Sequence, residues 1–139
     1  MRSTVCHIAV LCATLCVPLA ASAEKHETAV QTARDLLGYR SELTFAYLGA
    51  CSQLFNGQYS QVQRELQTKL DAIIVAADYP LAERKPVLLA RYAATARLVL
   101  GPLEDDVIAA RKDCETSHLP NARQLSGEFS KYVASLPKN

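Results

Sequence analysis

The sequence predicts an all-α fold: a single small bundle of about five helices with one disulfide, following a cleavable signal peptide. Three observations carry this. Beyond an N-terminal leader, apolar side chains recur three and four residues apart, and no stretch alternates as a half-buried strand would. Proline and glycine pairs divide that pattern into helix-length pieces. Only two cysteines, Cys51 and Cys114, follow the leader, and both fall on apolar stripes.

The leader, 1–23, has the three parts of an export signal. Arg2 gives a short positive start, Val5 to Val17 an apolar core, and Ala21-Ser22-Ala23 the small residues a signal peptidase requires. That core is about 13 residues, short of the roughly 20 that span a bilayer. Cleavage before Glu24 leaves one helical domain over 24–139 and removes Cys6, Cys12 and Cys16. An even pair of cysteines in an exported chain reads as a disulfide, because the periplasm and the extracellular space are oxidising. A periplasmic or secreted location is therefore expected, with no stable membrane insertion once the leader is gone. Of the 15 Lys and Arg residues only Arg2 leaves with it, so 14 remain against 14 Asp and Glu. A neutral domain matches neither nucleic acid nor an anionic membrane surface, since both need a basic excess.

The first helix is expected from about Thr28 to Phe55, bent or divided at Gly38, with Leu43, Ala46, Tyr47, Ala50, Cys51 and Leu54 on its apolar face. Asn56-Gly57 ends it, glycine being suited to the left-handed turn after a helix. A second helix opens at Ser60, with Gln63 completing a capping box. Its stripe is Val62, Leu66, Leu70, Ile73, Ile74 and Ala77, and it stops before Tyr79-Pro80. A third spans Pro86 to Leu100, or starts at Leu81 with a kink, and Gly101-Pro102 stops it. A fourth spans about Leu103 to Thr116. Glu104, Asp105 and Asp106 sit in its first turn and Arg111 and Lys112 near its end, complementing the helix dipole. Leu103, Val107, Ala110 and Cys114 point inward. After Leu119-Pro120, a final helix capped by Asn121 and Gln124 carries Leu125, Phe129, Tyr132 and Val133. A Cys51–Cys114 bond would then pin the first helix to the fourth.

Chemistry-bearing patterns are sparse. His26 and His118 follow the leader with no Cys or carboxylate at metal-ligand spacing, so both read as solvated residues near helix ends and no metal is expected. No Cys-x-x-Cys-His motif and no Gly-x-Ser-x-Gly elbow occurs, so neither covalent haem attachment nor serine catalysis is indicated. No cofactor and no enzymatic activity are expected. Arg84, Lys85, Arg91 and Arg97 lie on or before the third helix, and pairing with the acids of the fourth is the favoured reading of them. Tyr39, Phe45, Tyr47, Phe55 and Tyr59 crowd the first helix and the loop after it. Ordinary core packing is the favoured reading of this aromatic set, but Tyr39 and Tyr59 do not obviously fit a stripe, and exposed tyrosines next to a glycine loop are typical contact residues for a partner protein. The candidate partner-binding set is therefore Tyr39, Asn56, Tyr59, Arg84 and Arg91.

Two segments, Tyr47-Leu48-Gly49-Ala50-Cys51 and Arg111-Lys112-Asp113-Cys114-Glu115-Thr116-Ser117-His118, with the closing Phe129 to Val133, resemble the small two-cysteine helical immunity proteins that neutralise amidase effectors of the type VI secretion system. The resemblance covers about a third of 24–139 and leaves Gln58 to Gly101 unmatched. It implies a structural Cys51–Cys114 disulfide and a cognate effector as partner. The expectation is a non-enzymatic exported protein that binds a partner protein, as an immunity protein, inhibitor or adaptor does, with a homodimer through a helix face compatible with it. The other two readings are a periplasmic stress chaperone of the small acid-activated helical kind, since protonating the 14 acids would leave a strongly positive chain, and a haem or small-ligand carrier.

Overall fold

The computed structural model describes residues 27–28, 30–77 and 79–136, with side chains defined outside 76–84. The leader and His26 lie outside that range. A helical segment, α1, covers 30–36. It is followed by α2 (Tyr39–Phe55), α3 (Gln58–Ala77), α4 (Tyr79–Asp105), α5 (Val107–Asp113) and α6 (Leu119–Ser135), with a five-residue π turn, Cys114–His118, joining α5 to α6. The described residues contain no strand. The all-α expectation holds, as does the disulfide: Cys51 on α2 and Cys114 at the head of the π turn are bonded, with Cα atoms 5.9 Å apart.

Contacts along the helices give their directions. Arg91 of α4 meets Glu42 of α2, and Leu103 packs with Ala50 further on, so these two helices run parallel. Asp71 pairs with Lys85, so α3 and α4 run antiparallel. Arg40 meets Glu128 while Tyr47 meets His118, so α6 runs antiparallel to α2. The result is an up-and-down bundle of α2, α3, α4 and α6. Its core is Phe45, Leu48 and Cys51 of α2, Leu66, Leu70 and Ile73 of α3, and Leu125, Phe129 and Tyr132 of α6. From α4, Tyr92 joins that core and Leu103 a smaller cluster, so most of α4 faces outward.

Several boundaries differ from expectation for local reasons. The first helix is divided at Leu37-Gly38. A Cβ on Gly38 would come within 3.2 Å of the Asp35 carbonyl, so a larger residue there would push that carbonyl back by a few tenths of an ångström and glycine lets the chain turn without it. Ser60 is not an N-cap. The third helix-forming stretch begins two residues earlier, at Gln58, because Asn56 and Gly57 both take positive φ (51° and 62°) and complete the turn themselves. The Ser60 hydroxyl instead meets Asn56 Oδ1 at 2.7 Å and Ser52 Oγ at 2.6 Å.

Gly101-Pro102 does not stop α4, and neither does Pro86 start it. A proline inside a helix leaves the carbonyl four residues earlier without its usual donor. At Pro102 that carbonyl belongs to Leu98, and both residues are exposed, so water can satisfy it. Glu104 and Asp105 therefore end α4 instead of opening a new helix. Asp106 alone keeps the expected role, its carboxylate accepting from Ala109 N–H at 3.0 Å. Leu119-Pro120 likewise fails to break the chain. Pro120 cannot donate to the Thr116 carbonyl and its ring would crowd it. The backbone widens to the π turn, where Leu119 N–H reaches the Cys114 carbonyl five residues back.

The stripe foreseen on α3 is buried from Val62 through Ile74. On α2 the expected Ala46, Ala50 and Cys51 are buried and Phe45 and Leu48 join them, because three helices surround it, whereas Leu43 and Tyr47 are only partly buried. Val107 is 48% exposed and so leaves the inward set.

The disulfide closes a loop of 63 residues. Replacing both cysteines with alanine is expected to lower the unfolding free energy by about 4 kcal/mol if loop entropy dominates. Urea midpoints at constant m-value measure this, and a loss below about 1 kcal/mol would show that the bundle does not rely on the cross-link.

Candidate functional site

One side of α2 faces the N-terminal end of α6 across an open groove of about 320 Å³. Its lining from α2 is Tyr39, Arg40, Leu43, Thr44 and Tyr47, and across from them stand His118 and Asn121. The spacing of the α2 residues is that of one helix side. The π turn delivers His118 to the other wall, and the disulfide at its first residue ties that turn to α2.

Tyr47 and His118 stack with ring centroids 4.1 Å apart and planes 6° from parallel. Beyond this pair lies a second hollow of about 530 Å³, bounded by Leu98, Val99, Pro102 and Leu103 of α4 and by Asp113 and Ser117. The stacked rings thus form a partition between two concavities. Burial holds the His118 pKa below its ordinary value of 6.5, and the Asp113 carboxylate opposes that shift. The imidazole is accordingly neutral at pH 7.

At the groove's edge Arg40 grips Glu128 with two hydrogen bonds, 2.7 and 3.0 Å, and Gln124 adds a third donor at 3.1 Å. That grip, chiefly from Arg40, holds the Glu128 carboxyl below the usual carboxylate range. Tyr39 is 72% exposed at one end. Apolar rings flanked by an amide, a hydroxyl and a neutral imidazole suit an amphipathic side chain or short segment.

The sequence-derived residues are scattered. Tyr39 lies in the groove. Asn56 and Tyr59 are at the other end of α2, about 24 Å away by helix rise. Tyr59 is a correction: it is only 3% exposed, because the helix start at Gln58 turns its ring inward against Phe55. Its buried hydroxyl has no hydrogen-bond partner among the described residues. Arg84 falls where side chains are not described. Arg91 pairs within the chain, but with Glu42 of α2 at 2.6 Å and not with the acids after α4. His118 is a further correction, half-buried and stacked instead of solvated.

Two polar clusters were not foreseen. Glu42, its side chain 12% exposed, also accepts from Thr95 at 2.5 Å, while Tyr92 donates to the Leu37 carbonyl at 3.1 Å. Together they bolt α4 to the α1–α2 break. Elsewhere Lys69 donates to Ser126 Oγ at 2.5 Å and pairs with Glu65 at 2.7 Å, and Ser126 donates to Glu65 at 2.8 Å. An ammonium bound by a carboxylate is no base for the serine, so this trio clasps α3 to α6 and activates nothing.

Among the described residues no group of three or more His, Cys, Asp and Glu is placed to hold a metal, and no helix is long and apolar enough to cross a membrane. Comparison with protein-family models, curated proteins and solved structures finds no match.

Two measurements test this geometry. With its folded pKa depressed, His118 takes up a proton less readily than in the unfolded chain. Stability should therefore fall as the pH drops below about 6.5, where the unfolded chain binds more protons. His118→Phe keeps a stacking ring and should flatten the difference between urea midpoints at about pH 7.5 and about pH 5.5. An unchanged difference would remove His118 as its source. Arg91→Ala leaves the Glu42 carboxylate with Thr95 alone and should lower stability by about 1–3 kcal/mol in thermal unfolding. Replacing Glu42 and Arg91 together by Met should recover most of that loss.

Proposed function

We propose that the protein is a non-enzymatic exported helical protein that acts by holding a partner protein, in the manner of an immunity protein, an inhibitor or an adaptor. The observation that carries this reading is the groove beside the Tyr47–His118 stack, with Tyr39 standing 72% exposed at its end. Tyrosine binds well at protein interfaces because it offers a large rigid ring with a polar tip and loses little rotamer entropy. The walls of the groove belong to α2 and to the turn that Cys114 staples to it, so the ring positions are set before a partner arrives. Pre-organisation of that kind lowers the ordering cost of association.

The signal-like pattern of 1–23 and the cysteine pair support a partner met in the periplasm, and the resemblance of the two cysteine-bearing segments to immunity proteins favours a cognate effector.

The test is capture from periplasm of the native host with the neighbouring genes co-expressed. A stoichiometric protein should be retained by the wild-type chain and lost, about 10-fold or more in affinity, with Tyr39→Ala or Asn121→Arg. Circular dichroism of both variants should be unchanged. Recovery of no partner, or equal retention by both variants, would retire the proposal.

A further inference from the structure

The turn between α2 and α3 holds an Asn-Gly pair in a backbone state that brings reactive atoms together. Asn56 is exposed, with φ 51° and ψ −147°, and Gly57 is exposed, with φ 62°. Around Cα the side chain is offset by about 120° from the backbone nitrogen. At ψ −147° the Gly57 nitrogen is therefore only about 27° from eclipsing Asn56 Cβ, where a helical ψ would leave it about 80° away and a strand ψ about 105°. The nitrogen stands beside the side chain it must meet to close a five-membered ring.

Two hydroxyls prepare that side chain. Ser60 donates to Asn56 Oδ1 at 2.7 Å, and Ser52 Oγ lies 2.6 Å from the Ser60 hydroxyl. With its own proton directed at Asn56, Ser60 accepts from Ser52, so the pair forms a relay ending on the amide oxygen. A donor there draws electron density from Cγ and stabilises the negative charge that an attack on Cγ would place on the oxygen. From the other side, Asn56 N–H donates to the Ser52 carbonyl at 2.9 Å and fixes the residue at the end of α2. Gly57 N–H donates to no group among the described residues, and a Cβ built on Gly57 would meet nothing within 4 Å. Neither a hydrogen bond nor crowding holds the nitrogen back.

We propose that Asn56 is a self-modification site, at which the folded turn converts the asparagine to aspartate or isoaspartate. The Gly57 nitrogen gives its proton to solvent hydroxide and attacks Asn56 Cγ. The N–Cγ bond forms, the Cγ–Nδ2 bond breaks, and Nδ2 takes a proton from water and leaves as ammonia. Water then opens the cyclic imide. Opening at the side-chain carbonyl leaves aspartate, and opening at the main-chain carbonyl leaves isoaspartate. The new carboxylate lies at the head of α3, whose first turn has no acidic residue of its own, so the helix dipole favours it. Isoaspartate also adds a methylene to the main chain shortly before Tyr59, whose ring is buried against Phe55. Because ammonia is lost, the change accumulates with the age of each molecule.

This turn lies at the end of α2 away from the Tyr39 groove, and its test needs no partner protein. The disulfide-bonded chain is held at mildly alkaline pH and digested at intervals, and the peptides carrying Asn56 and Asn121 are followed by mass and by isoaspartate content. The Asn56 peptide should gain about 1 Da per molecule. It should do so at least about 10-fold faster than in the same chain unfolded in guanidinium chloride, because the fold holds the reacting atoms near their attack geometry. Asn121, within α6 and followed by Ala122, should stay intact over the same period. Ser60→Ala removes the donor on the amide oxygen and should slow the change about 5-fold with unchanged circular dichroism. A folded-chain rate no greater than that of the unfolded chain, equal conversion of Asn121, or a Ser60→Ala rate unchanged or faster would each overturn the proposal.

Discussion

The bond between Cys51 and Cys114 is the constraint on which the rest of this architecture turns. It joins the C-terminal part of the central helix to the point where the backbone leaves regular α geometry. The stacked pair at the groove's inner wall lies close to both ends of it: Tyr47 one turn before Cys51, His118 one turn after Cys114. Without the bond, a short α5 and a widened turn would have few contacts of their own to hold the imidazole against the phenol. A small domain with a modest core gains most from a covalent tie where its helices are shortest.

Around that staple the bundle is organised by α2, which has neighbours on three sides. A helix so enclosed cannot keep all of its polar residues in water, and Ser41 and Glu42 are buried on it. Both are satisfied locally. Ser41 donates to the Leu36 carbonyl at the α1–α2 break, and Glu42 takes Arg91 and Thr95 from α4. Buried polar groups satisfied this way specify which helix lies next to which, where aliphatic contacts alone would accept several arrangements. The Lys69–Glu65–Ser126 clasp does the same between α3 and α6.

Much of the fold was legible in the residues. The α3 stripe, the division at Gly38, the turn at Asn56-Gly57 and the end before Pro137 all follow from period and backbone chemistry. Three errors share one cause, which is that proline was read as punctuation. Pro86, Pro102 and Pro120 all sit inside or at the head of continuous helical structure, because exposure or a widened turn accommodates them. The site was less legible. Tyr39 stood out as an aromatic without a stripe, but Tyr47 looked like core and His118 like a solvated end residue. Their stacking spans 71 positions in sequence and depends on the π turn, which no local pattern announces. Tyr59 misled because its stripe starts two residues before the expected helix.

The π turn also changes what kind of alteration the chain tolerates. Five residues occupy a stretch that regular geometry would fill with one fewer, and the surplus residue rotates all of α6 by about 100° relative to α5. That rotation is what aims Leu125, Phe129 and Tyr132 at the core. Loss of a single codon between Cys114 and His118 would therefore swing the whole C-terminal helix off its register. Most substitutions at the exposed positions of the same stretch, Glu115, Thr116 and Ser117, would leave that register alone. Length, more than identity, is what this segment encodes.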